Sequence, residues 1–161
     1  MSNYELRFPI FIEYNYKHQQ KMKNLEYKTQ IKASAEKIWE TLWNQESYKE
    51  WSSVMNEGAR YEGNFAEGTY VDLYDANNNG MFNFVEKNIP NREMTMQHKG
   101  WIYGGKRDDQ NWTDSRETYL LTENEDGAEL KINVSAMDEF VDFFNSNYPK
   151  VLEKVKQLAE K

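Results

Sequence analysis

Near the end of the chain, Phe140, Phe144, Tyr148, Val151, Leu152, Val155 and Leu158 recur at steps of three and four residues. Lys150, Glu153, Lys154, Lys156 and Glu160 fall on the other faces. This is the period of an amphipathic helix with one stripe to bury. Pro149 predicts a kink or the start of the helix's second half, because proline removes one helical hydrogen bond. The partner of that stripe is written upstream. Val71/Leu73, Met94/Met96/His98, Tyr119/Leu121 and Leu130/Ile132/Val134 each keep to one parity, as strands with one covered face do. Turn signals at Gly63, Gly68, Asn79-Gly80, Pro90, Gly104-Gly105 and Asp126-Gly127 are spaced so closely that the strands must join as antiparallel meanders. A sheet with one apolar face and a helix with one apolar stripe satisfy each other.

Between residues 33 and 43 the pattern is helical. Ser34 can cap, Glu36 suits the first turn, and Ala35, Ile38, Trp39 and Leu42 share a stripe. A second short helix is predicted over residues 47–51. Residues 6–16 alternate apolar and other side chains, with Pro9 marking an edge strand or a covering arm. Residues 1–24 therefore read as an extension and 25–161 as the main domain. The most polar stretch, 106–115, reads as a long loop. At 161 residues one core suffices, and 39% hydrophobic residues with 15% aromatic can build it. A net charge of −7 disfavours binding to phosphate backbones, so no nucleic-acid partner is expected. Without cysteine there are no disulfides or thiolate nucleophiles, and the mean hydropathy of −0.99 with no long apolar run argues against a membrane span. The chain reads as cytoplasmic, a monomer or a homodimer.

The run Ile31-Lys32-Ala33-Ser34-Ala35-Glu36-Lys37-Ile38-Trp39-Glu40-Thr41-Leu42, followed by Tyr48 and Trp51, resembles the opening motif of the START-like (SRPBCC, birch-pollen-allergen-type) superfamily. Glu67-Gly68-Thr69, Pro90 followed by Met94, and Gly127-Ala128-Glu129-Leu130 resemble its later landmarks. Pro149-Lys150-Val151-Leu152-Glu153-Lys154-Val155-Lys156 is similar to the terminal helix of one branch, the bacterial homologues of the activator of heat-shock-protein ATPase. Tyr148 stands where many members have tryptophan. The resemblance implies an α+β helix-grip fold, in which a curved antiparallel sheet wraps a long C-terminal helix around an apolar cavity. Superfamily members bind lipids, hormones or polyketides there, others are enzymes, and the eponymous co-chaperone works by protein contact. Three functions follow as expectations: binding of an apolar or aromatic small molecule, interaction with a chaperone or other protein, or polyketide cyclase-like or dehydratase-like catalysis with His98 as base.

The candidate cavity residues are Trp51, Asn83, Met94, Met96, His98, Trp101, Tyr103, Tyr119, Phe144 and Tyr148. Strand parity selects some and the aromatic load selects others, since aromatic rings line ligand pockets while their polar tips orient the ligand. His98 and Asn83 would supply directional hydrogen bonds. No catalytic residue is assigned, and no cofactor is expected. Asp75-Ala76-Asn77-Asn78-Asn79-Gly80 with Glu86 spells a calcium loop, yet its flanks are fitted to strands, which favours a hairpin with an Asn-Gly turn. With His98 and His18 as the only histidines, no transition-metal cluster is expected. If Met81, Asn83 and Val85 face inward, Phe82 and Phe84 expose an apolar patch, which the 6–16 arm is expected to cover.

Overall fold

The computed structural model describes residues 22–161. The 6–16 arm, Pro9 and His18 lie outside them. Strand β1 (Lys23–Ile31) leads into helices α1 (Ala35–Trp43) and α2 (Gln45–Ser52). Strands β2 (Arg60–Glu62), β3 (Tyr70–Tyr74), β4 (Gly80–Ile89), β5 (Glu93–Tyr103), β6 (Lys106–Asp109), β7 (Arg116–Asn124) and β8 (Gly127–Ala136) follow. A 3₁₀ turn (Asp138–Phe140) then introduces α3 (Val141–Ala159). The strands form one antiparallel sheet in the order β1-β8-β7-β5-β4-β3-β2, with β6 joined to β5. This is the helix-grip α+β architecture that the resemblance implied.

Local chemistry explains the helices. Ser34 Oγ accepts a hydrogen bond from Lys37 N at the start of α1, and Asn44 Oδ1 does the same for Glu46 N at the start of α2. The second helix is longer at both ends than residues 47–51. Helix α3 runs through Pro149 as one element. Its buried stripe of Tyr148, Val151, Leu152, Val155 and Ala159 meets Ile31, Met94, Leu130 and Ile132 of the sheet and Ile38 and Leu42 of α1. Fully burying an aliphatic side chain of this size stabilises the fold by about 1.5–3 kcal/mol. On β1, Tyr27 stacks on Tyr148 with ring centroids 4.9 Å apart and donates a hydrogen bond to Asn145 Oδ1, tying the edge strand to α3.

Two bulges in β5's pairing with β4 set which side chains face inward. The register shifts between Phe82 and Asn83 and again between Val85 and Lys87. The first shift leaves Lys99 as an extra residue between His98, opposite Asn83, and Gly100, opposite Phe82. A bulge inverts parity beyond it, so His98 and Trp101 line the same cavity despite their odd spacing. The second shift leaves Glu86 unpaired in the ladder, and its carboxylate takes a bidentate contact from Arg116 at 2.9 and 3.0 Å.

Asp75 to Asn79 form the β3–β4 hairpin turn, with Asp75 Oδ1 accepting from the backbone of Asn77 and Asn79. Glu86, at the twelfth position of the calcium spelling, is engaged by Arg116 instead. The positive φ of the turn falls on Asn78, at 61°, rather than on Asn79 or Gly80. Gly80 is required for another reason: a Cβ there would sit 1.8 Å from the carbonyl oxygen of Leu73.

The 106–115 stretch is not wholly a loop, because β6 pairs with the end of β5 through the Gly104-Gly105 turn. All four β6 residues are exposed, so no alternation marks the strand, which is held by backbone pairing with β5 and by the Arg107 ion pair to Asp72 at 2.9 Å. On the outer face, Phe82 is buried against Tyr74 and Ile102, so it does not add to an exposed patch. Tyr70 packs on Phe84, and the Arg107 guanidinium lies over both Tyr70 and Phe82. Among the described residues no helix is long and apolar enough to cross a membrane.

Candidate functional site

Between the sheet's concave face and α3 lies a cavity of about 300 Å³. Each neighbouring element contributes a wall. Helix α2 supplies Tyr48 and Trp51, and the Trp51 indole is fixed by donating from Nε1 to the Leu42 carbonyl at 3.0 Å. The end of α1 supplies Trp43, whose ring packs edge-on to Tyr119 and Trp51. Its buried Nε1–H finds no hydrogen-bond acceptor among the described residues. Helix α3 and its preceding turn supply Phe140, Phe144 and Tyr148 as a continuous series of rings. The crossing from β6 to β7 inserts Trp112, whose ring meets Trp101 edge-on at 5.0 Å, with Phe140 beyond.

At the inner end is a connected set of polar groups. Glu117 on β7 is 8% exposed, and its Oε1 accepts from Tyr119 OH at 2.7 Å and from Tyr148 OH at 2.6 Å. Burial, reinforced by the charge of Glu117, holds both phenols well above their usual pKa of 10.0, so each keeps its proton and donates. Burial followed by the same carboxylate also raises Tyr48. Two hydroxyl donors on one oxygen offset much of the cost of placing a carboxylate inside.

His98 sits opposite. Its Nδ1 is in hydrogen-bond contact with Asn83 Oδ1, while Asn83 Nδ2 donates to the Met81 carbonyl at 3.3 Å and so turns Oδ1 towards the ring. Burial lowers the imidazole's pKa from 6.5, and the charge of Glu117 acts in the opposite sense without reversing it. The ring is therefore neutral at pH 7, with its proton on Nδ1 facing Asn83. Its Nε2 is left with a lone pair, 3.9 Å from Glu117 Oε2. Two acceptors face each other across a gap too wide for a direct hydrogen bond.

Seven of the sequence candidates line the cavity: Trp51, Met96, His98, Trp101, Tyr119, Phe144 and Tyr148. Asn83 lies behind His98, holding its ring. Met94 is fully buried in the core beyond the wall, and Tyr103 is 57% exposed at the tip of β5, outside it. Tyr103 shares the parity of Trp101 but extends past the rim into the Gly104-Gly105 turn. Sequence reasoning missed Glu117, Trp43, Tyr48 and Trp112. For Glu117 there was a signal, since it has the inward parity of Tyr119 and Leu121, where a charge needs a reason. Trp112 was the one large apolar side chain in an otherwise polar stretch. Among the described residues, no group of three His, Cys, Asp or Glu side chains could hold a metal ion.

Neither a protein-family model nor a curated protein matches the sequence. Solved structures do match the fold. The Aha1 dimer from Colwellia psychrerythraea is similar with a TM-score of 0.68 and 23% identity, covering 86% of this chain and 97% of that one. The AHSA1-like protein from Aeromonas hydrophila has a TM-score of 0.64 at 7% identity, covering 86% and 92%. CalU16 from Micromonospora echinospora has a TM-score of 0.59 at 15% identity, covering 87% and 77%. The resemblance drawn from the opening and closing motifs is thus met at the level of the fold.

Proposed function

We propose that the chain binds an apolar or aromatic small molecule in the cavity between the sheet and α3. The observation that carries this reading is a space of about 300 Å³, walled by rings and ending in a neutral histidine and a buried carboxylate. A core built only for stability packs to high density, and its polar groups satisfy one another. Here the rings leave a void at the low end of ligand-pocket sizes, with two acceptors directed across a gap. Fold likeness to Aha1-type proteins supports the scaffold and leaves the occupant to the site's chemistry.

Fluorescence titration with the neutral probe N-phenyl-1-naphthylamine tests it. We expect saturable emission enhancement at one probe per chain, with matching quenching of tryptophan emission, because Trp43, Trp51, Trp101 and Trp112 all line the space. Linear, non-saturating emission with unchanged tryptophan fluorescence would overturn the reading.

A further inference from the structure

Resting on the reading of the cavity as a small-molecule site, we propose that its ligand carries a protonated nitrogen. The ligand is an amine with an aromatic or apolar body, its N–H donors placed between Glu117 Oε2 and His98 Nε2. The argument begins with what the wall lacks. Among the described residues no lysine or arginine lines the cavity, while two carboxylates do, those of Glu117 and Asp75. Asp75 uses Oδ1 on the backbone of its own turn, near the rim. Glu117 is the charge at the inner end.

Three donors of that end are already committed, whereas the N–H of the Trp43 indole, which packs on Tyr119, is not among the described residues. Tyr119 and Tyr148 both give their hydroxyl hydrogens to Glu117 Oε1, and His98 directs Nδ1 towards Asn83. What faces the void between β5 and β7 is a carboxylate oxygen and an imidazole lone pair 3.9 Å apart. A single N–H-bearing centre between them can donate to both, since an ammonium group has three donors and no acceptor. A ligand carboxylate would face Glu117 with no lysine or arginine among the described lining residues to balance either charge, at a cost that grows as water is excluded. A neutral hydrocarbon would cover Oε2 and leave it without a donor. The surrounding rings act in the same direction, because aromatic faces attract a desolvated cation. Tyr48, Tyr119 and Tyr148 all lie close enough to Glu117 for its charge to act on their phenols.

The test is a matched set sharing one ring system at pH 7.5: 1-naphthylmethylamine, 1-ethylnaphthalene and 1-naphthoate, each competing with N-phenyl-1-naphthylamine. On the unmodified chain we expect the amine to compete at least about tenfold more tightly than ethylnaphthalene, with naphthoate weakest. Glu117→Gln keeps the shape and an acceptor for the phenols, and should weaken the amine by about tenfold while leaving ethylnaphthalene within about twofold. If that variant fails to fold, the ranking on the unmodified chain decides alone. Competition by ethylnaphthalene or naphthoate equal to that of the amine would overturn the amine assignment and leave the cavity reading standing. Failure of the reporter probe itself to bind would overturn both.

Discussion

Val134→Trp is expected to abolish probe binding, lowering affinity by at least about a hundredfold while the protein stays folded. Val134 is on β8, directly opposite Glu117 on β7, and it is one of the smaller side chains of the cavity wall. An indole there extends over the inner polar end into the space a ligand's ring would fill. Filling a void avoids the usual cost of overpacking, which arises when a dense core is forced apart. Thermal melting should therefore move little. The check pairs the N-phenyl-1-naphthylamine titration with circular dichroism of the same sample. A folded variant that still binds with unmodified affinity would move the ligand out of this cavity.

Gly127→Ala is expected to be the most damaging conservative change outside the cavity. Gly127 adopts φ +130°, and a Cβ there would lie 2.2 Å from the carbonyl oxygen of Ile31 and 2.9 Å from Ala33 N. Both are backbone atoms where β1 leaves the sheet for α1, so neither can rotate away. The strained φ costs about 1–3 kcal/mol, and the clash adds to it by separating β8 from the end of β1. We expect a loss of at least about 3 kcal/mol, or roughly 6–12 °C in Tm for a chain of this size. Gly104→Ala is the internal control. It also has a positive φ, of 55°, but nothing lies within 4 Å of its added methyl, so its loss should stay near about 1 kcal/mol. Equal melting temperatures for the two variants would contradict the close approach at Gly127.

Much of the fold was legible because burial writes periodicity. The stripe from Tyr148 to Leu158 needed a sheet, and the inward parity of Val71, Met94, Tyr119 and Leu130 supplied one face for it. Strand β6 escaped because its four residues are exposed on both faces, and a strand held by backbone pairing and a surface ion pair leaves no hydrophobic trace. The site was harder to read for a related reason. His98, Trp101 and Tyr103 cannot be assigned one face by counting, since the bulge at Lys99 reverses the count and only cross-strand register reveals it. Asn83 was identified as polar and inward, but its role as the partner of His98 depends on that register. Glu117 was visible as a charge on an inward parity. That two phenols from β7 and α3 converge on it is a tertiary fact, and spacing along the chain carries no information about it.

The most direct test is an intermolecular NOE experiment on the uniformly ¹³C,¹⁵N-labelled protein saturated with unlabelled N-phenyl-1-naphthylamine. The account predicts contacts from the probe's rings to side-chain protons of Trp51, Tyr119 and Tyr148, which come from α2, β7 and α3 and meet only inside the cavity. Contacts confined to Tyr70 and Phe84 on the outer face of the sheet, with none to those three, would contradict it.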